Sequence, residues 1–174
     1  MLFRSNTDSI KTIFDFKKEK DLTKWNAVND NVMGGISIGQ ALLGNDDKLI
    51  FSGSISLENN GGFASIRTIP KDFDLLGYKG IRIRVKGDGR DYQFRLRTEN
   101  NDDKVAFKQT FQTEANIWMD IEFPFASFQP SYRGRILDNV SPLDVSEIRK
   151  MGFLIADKKA GPFNLVVDKI LAYK

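Results

Sequence analysis

Arg82 and Arg84 alternate with Ile81, Ile83 and Val85, and Arg95 and Arg97 alternate with Phe94, Leu96 and Thr98. Guanidinium groups at every second residue suit the bidentate capture of carboxylates. Joined by Arg67 and Trp118, they would form one polar face able to receive an acidic peptide, a sugar or a partner protein, the ring adding apolar area. Asp120 and Glu122 share the parity of Trp118 and would neutralise part of such a row, as surface ion pairs worth little energy each. Arg133, in an aromatic loop punctuated by Pro124 and Pro130, is a further contact candidate. Carboxylate pairs such as Asp120 with Glu122, or Asp30 with Glu58, have the composition that a glycosidase needs.

A second group lies in turn-rich segments. Asn29 and Asp30 sit in Trp25–Ser37, which is dense in amides and glycines, and they could offer oxygens to a hard cation. Glu58 and Asn60 flank the Asn59-Asn60-Gly61-Gly62 turn and face the same choice between ligand loop and self-capped loop. The competing expectation is that these side chains cap their own backbone while Trp25 plugs the core.

The chain contains no His and no Cys. Ser-His-Asp and Cys-His nucleophilic sites, thiolate metal sites and disulfides are therefore excluded. No cofactor is expected, and the reading is of a protein that binds rather than catalyses. The net charge of +3 is too small to argue for nucleic acid. The opening residues lack the apolar stretch of a signal peptide and the Arg-rich amphipathic pattern of a mitochondrial presequence. No apolar run reaches the length of a membrane helix. The expected location is the cytoplasm, without membrane insertion.

The elements that must position these groups are strands. Alternation with period two marks 48–57, 63–69, 81–86, 92–98, 105–111 and 117–123, with two further strands over 151–156 and 163–173. Ile117, Met119, Ile121 and Phe123 are expected to form one inward row. Gly87-Asp88-Gly89-Arg90 has the composition of a hairpin turn, which would set Arg84 opposite Gln93 and Arg82 opposite Arg95. Ser141-Pro142 is expected to open one short helix running through Ile148 to Lys150. The 14 phenylalanines suffice to fill a sandwich core. Many short strands with no βαβ rhythm specify an all-β antiparallel sandwich or jelly roll, a single domain over 1–174.

Several stretches together resemble the complex I intermediate-associated protein 30 family. They are Trp25 with Val28-Asn29-Asp30-Asn31-Val32-Met33-Gly34-Gly35 and Ser37, then Leu57-Glu58-Asn59-Asn60-Gly61-Gly62-Phe63-Ala64-Ser65-Ile66-Arg67. Gly87-Asp88-Gly89-Arg90-Asp91-Tyr92, Trp118, Pro124-Phe125, Arg133-Gly134 and Gly161-Pro162-Phe163 follow in order. The resemblance implies a galactose-binding-like jelly roll and an assembly role toward NADH:ubiquinone oxidoreductase, with a protein as partner. Many galactose-binding-like sandwiches bind carbohydrate, and exposure of Trp25 and Trp118 would favour that alternative.

Overall fold

The computed structural model describes residues 9–20, 22–99 and 104–174. The strands are β1 (Ile10–Asp15), β2 (Trp25–Ala27), β3 (Ile38–Leu43), β4 (Leu49–Ile55), β5 (Ala64–Thr68), β6 (Gly80–Lys86), β7 (Asp91–Thr98), β8 (Ala106–Gln112), β9 (Trp118–Pro124), β10 (Gln129–Tyr132), β11 (Arg135–Ile136), β12 (Ile148–Ile155) and β13 (Gly161–Tyr173). Two antiparallel sheets face each other. Sheet A has the order β3-β4-β13-β6-β9, with β1 also paired to β13; sheet B has the order β11-β10-β8-β7-β12-β5-β2. This is the expected all-β sandwich.

The alternation in the sequence becomes the core. Ile81, Ile83 and Val85 point inward from sheet A, and Tyr92, Phe94 and Leu96 point inward from sheet B, all of them fully buried. Phe94 stacks on Phe123 across the sandwich at 5.2 Å, and Phe51 meets Phe163 edge-on at 4.8 Å. Offset and edge-to-face ring pairs of this kind add to area burial. Trp25 lies among Phe14, Phe16 and Phe153 and is buried, as the plug expectation required.

Three local expectations need correction. The hairpin of 81–98 does not form: β6 pairs with β9 and β13 in sheet A, whereas β7 pairs with β8 and β12 in sheet B. Residues 87–90 form a corner between the sheets, held by Asp88, which accepts from the Arg90 N–H at 3.1 Å, the Tyr92 hydroxyl at 3.1 Å and the Asn164 N–H at 2.8 Å. Two strands that bury alternate residues against one core have the same pattern whether they pair or face each other. The short helix is likewise replaced. Asp144, not Ser141, caps a single 3-10 turn over Val145–Glu147, and Ile148–Lys150 already belong to β12, whose ladder captures their backbone. Finally, the inward row of β9 is only partly buried: Phe123 is buried, Ile121 is half-buried but packed against the core, Met119 is half-buried on this edge strand, and Ile117 is exposed before it starts. The reading of the opening eight residues lies outside the described residues, as do residues 100–103 between the expected strands 92–98 and 105–111.

Candidate functional site

Because β6 and β7 lie in different sheets, the expected arginine face divides in two. On sheet A, Arg82 stands opposite Glu122, Arg84 opposite Asp120 and Lys86 opposite Trp118. Arg82 donates to Glu122 at 2.6 Å and Arg84 to Asp120 at 2.9 Å. Asp168 lies 3.7 Å from Arg84 and 3.5 Å from Lys48. The face of Trp118 is covered by Arg84 and Lys86 at 5.3 Å and by Lys48 at 5.8 Å. This is a neutralised ladder of surface ion pairs. Both Trp rings are thus occupied, one by the core and one by cations, which removes the bare stacking platform that a sugar site would use. Asp120 and Glu122 are each ion-paired with an arginine.

On sheet B the cations accumulate. Gly152 of β12 stands between Arg67 of β5 and Arg95 of β7, Arg95 stands opposite Lys108 of β8, and Lys150 opposite Arg97. Arg67 and Lys108 are three strand spacings apart, roughly 14 Å. Gly152 leaves a notch of about 20 Å³ bounded by Arg67, Arg95, Arg97 and Lys150. An added Cβ there would lie 2.3 Å from the Ile66 carbonyl oxygen, so close strand approach keeps the notch open. The Nε of Arg95 is buried and meets no acceptor among the described residues. Burial, together with Arg97 and Arg67, lowers the Arg95 pKa to about 10. Burial and Arg95 also lower that of Lys108. Arg133 is far from both rows in register. With Gly134 it makes the tight β10–β11 turn (φ 48° and 78°), and its guanidinium stacks 5.3 Å over Tyr132.

The turn-rich segments form a lock rather than an ion site. Asp30 is fully buried; its Oδ1 accepts from the Ser37 N–H at 2.9 Å, and its Oδ2 from the N–H groups of Gly62 at 2.7 Å and Phe63 at 3.3 Å. Burial alone would raise its pKa, but the hydrogen bonds from Ser37, Gly62 and Phe63 outweigh it and hold the carboxyl below the ordinary aspartate value. Asn29 accepts from the Ser65 N–H and donates to the Gly39 carbonyl. Gly35 and Gly61 exist to admit the carboxylate, since a Cβ would sit 2.4 Å and 2.6 Å from Asp30 atoms. Oxygens already facing N–H donors present nothing to a cation. Glu58 and Asn60 remain exposed on the turn, and among the described residues no three His, Cys, Asp or Glu side chains converge as a metal site.

A second lock closes the neighbouring corner. Arg90 donates to Asp157 at 2.6 Å and 2.8 Å and to the carbonyls of Gly161 and Pro162 at 3.0 Å, and it also bonds the Lys159 carbonyl.

The Asp30 lock displays apolar side chains at its outer surface. Val32 is 68% exposed, Met33 51% and Ile36 53%, and Ile38, at the start of β3, is 66% exposed. Leu57, also exposed, adjoins them through the Ser37 hydroxyl, which donates to the Ser56 carbonyl and accepts from the Ser56 N–H. The alternation over 48–57 places Leu57 on the inward side with Leu49, Phe51 and Ile55, but β4 ends at Ile55 and Leu57 is exposed. The sequence reading passed over Lys108 and Lys150, whose strand parity matches the arginine row. An apolar groove of about 470 Å³ opens beside Phe125 and Phe128 under the 140–145 segment, and both rings are buried.

A sequence profile for complex I intermediate-associated protein 30 matches residues 14–167. The chain belongs to this family. The mouse protein named complex I intermediate-associated protein 30, mitochondrial, is 27% identical over 183 residues, covering 94% of this chain and 56% of its own length. The Drosophila melanogaster protein of the same name is 28% identical over 192 residues, 98% of this chain and 64% of its own. The chain therefore spans under two thirds of these relatives. Their names assign them to mitochondria, which corrects the cytoplasmic expectation. Among solved structures, a family 11 carbohydrate-binding module from Clostridium thermocellum, in complex with a β-1,3-1,4-mixed-linked tetrasaccharide, superimposes with a TM-score of 0.71 at 20% identity, covering 94% of each chain. An agarase superimposes at 0.64 with 12% identity over 95% of this chain and 24% of its own. At these identities the likeness is one of fold. No described helix is long and apolar enough to cross a membrane.

Proposed function

We propose that this chain is a non-catalytic binding module of the assembly-factor type, which recognises a protein partner as its relatives named for complex I intermediates suggest. The observation that carries this reading is the apolar display of Val32, Met33 and Ile36 on a loop fixed by Asp30, with Ile38 and Leu57 exposed on the segments beside it. Isolated exposed aliphatics are ordinary, but three on a pre-organised loop with two more on the segments flanking it are the pattern of a docking surface. The residues that the family resemblance rests on, Asp30, Gly35, Gly61, Gly62 and Arg90, are occupied in holding loops in place. Activity then resides in what those loops present. The relatives' names supply the setting: a mitochondrial partner belonging to respiratory complex I.

The test immobilises the chain and exposes it to detergent-solubilised mitochondrial membranes, with retained complex I subunits quantified. Val32→Ser with Ile36→Ser should reduce retention about tenfold, the scale of losing a central apolar contact, while the melting temperature holds. Retention that is unchanged by the double substitution, or absent in the unsubstituted chain, refutes the reading.

A further inference from the structure

We propose that the outer face of sheet B is a docking site for an acidic segment of a partner protein, one carboxylate of which seats at Arg95 over Gly152. The inference rests on the protein-binding reading above and adds the chemistry of the partner. Five cations, Arg67, Arg95, Arg97, Lys108 and Lys150, share this face. The outward positions nearest Arg95 in register and along β7 are Gly152, Lys108, Gln93 and Arg97, none of them acidic. Sheet A answers each of Arg82 and Arg84 with a carboxylate on the adjacent strand, whereas the buried Nε of Arg95 meets no acceptor among the described residues.

A guanidinium that is partly withdrawn from water beside other cations, with a buried donor unmet, is destabilising in the free protein. A carboxylate placed over the notch would complete it, because the planar fork donates to both carboxylate oxygens and the neighbouring charges strengthen the contact. The size of the site selects the occupant. About 20 Å³ admits one small group and not a sugar ring, and the rings and aliphatics beneath it, Phe153, Ile66 and Met151, are buried and offer no stacking surface. The patch is also short for a nucleic-acid duplex: roughly 14 Å spans it.

The experiment uses the full chain and a blocked synthetic peptide of alternating Glu and Ser, with the same peptide carrying Gln in place of Glu, followed by NMR shifts and calorimetry at low and physiological salt. The Glu peptide is expected to bind, more weakly as salt rises, and the Gln peptide is not. Arg95→Gln should weaken binding about tenfold or more, Arg95→Lys should weaken it less, and Arg82→Gln on the opposite face should leave it unchanged. Arg95→Gln is expected to keep or raise the melting temperature, which separates lost binding from lost folding. Equal binding by the Gln peptide, equal loss in Arg82→Gln, wild-type binding by Arg95→Gln, or tighter binding of a DNA duplex overturns the proposal. If the peptide fails while complex I subunits are still retained through the Val32 and Ile36 loop, this inference alone falls. Peptide binding at Arg95, with retention insensitive to the loop, sinks the loop reading and leaves this face standing.

Discussion

Replacing Asp30 with Ala deprives three backbone donors, on Ser37, Gly62 and Phe63, of their acceptor at a buried position. Counting about 1.5 kcal/mol for each of the two short bonds and less for the 3.3 Å bond to Phe63 gives a loss of about 3–4 kcal/mol. At a urea slope near 2 kcal/mol/M, the midpoint falls by about 1.5–2 M. Gly35→Ala is the companion change, because its Cβ would lie 2.4 Å from Asp30 Cγ while its backbone needs no positive φ. Alone it should cost about 1–3 kcal/mol through overpacking. In the Asp30→Ala background the obstructing carboxylate is gone and that cost should vanish. The double mutant is therefore more stable than the sum of singles by about 1–3 kcal/mol, measured by urea unfolding followed by circular dichroism. Additivity within about 0.5 kcal/mol would show that the glycine does not exist to admit the carboxylate. A loss below about 1 kcal/mol for Asp30→Ala would refute the lock itself. The pH dependence has a definite sign. The folded pKa of Asp30 is depressed, so its contribution is fully present above the unfolded value near 3.8 and is lost as pH falls through the folded value. Asp30→Asn should flatten acid unfolding in that window.

Arg90→Met should cost about 3–5 kcal/mol by stranding the nearly buried Asp157 carboxylate, and Asp157→Leu added to it should restore part of the loss in a thermal melt. By contrast, Glu122→Gln, which breaks the exposed pair with Arg82, should change stability by less than about 1 kcal/mol. A larger effect would mean that the sheet A ladder carries more than surface charge pairing.

Legibility divided along the line between local pattern and long-range pairing. The strands at 49–55, 64–68, 80–86, 91–98 and 161–173 announced themselves by alternation, since burial of one face writes its period into the sequence. Sheet membership did not, because Ile81–Val85 and Tyr92–Leu96 bury the same core from opposite sides. The turn chemistry of 87–90 suited a corner as well as a hairpin. That single ambiguity merged two cationic faces into one and hid the contrast between them: Arg82 and Arg84 each meet a carboxylate, whereas the Arg95 Nε meets no acceptor among the described residues. The short strands β2, β10 and β11 carry too few residues to show any period. Asn29 and Asp30 were legible as special but not as to purpose. Amide and carboxylate oxygens near glycines suit a cation and a backbone N–H cluster equally well, and only the fold brings 61–63 against 30.

β13 has a consequence for how the chain must be made. Its first half is zipped to β4, its second half to β1, and its other edge to β6, and it follows all three in the chain. The β3–β4 and β6–β9 ribbons can close as residues emerge, but they cannot become one sheet until 161–173 have been added. Until then Leu49, Phe51, Ile81 and Ile83, all fully buried at the end, face water beside open strand edges. A nascent chain of this protein thus keeps apolar surface and open strand edges exposed until its central staple arrives.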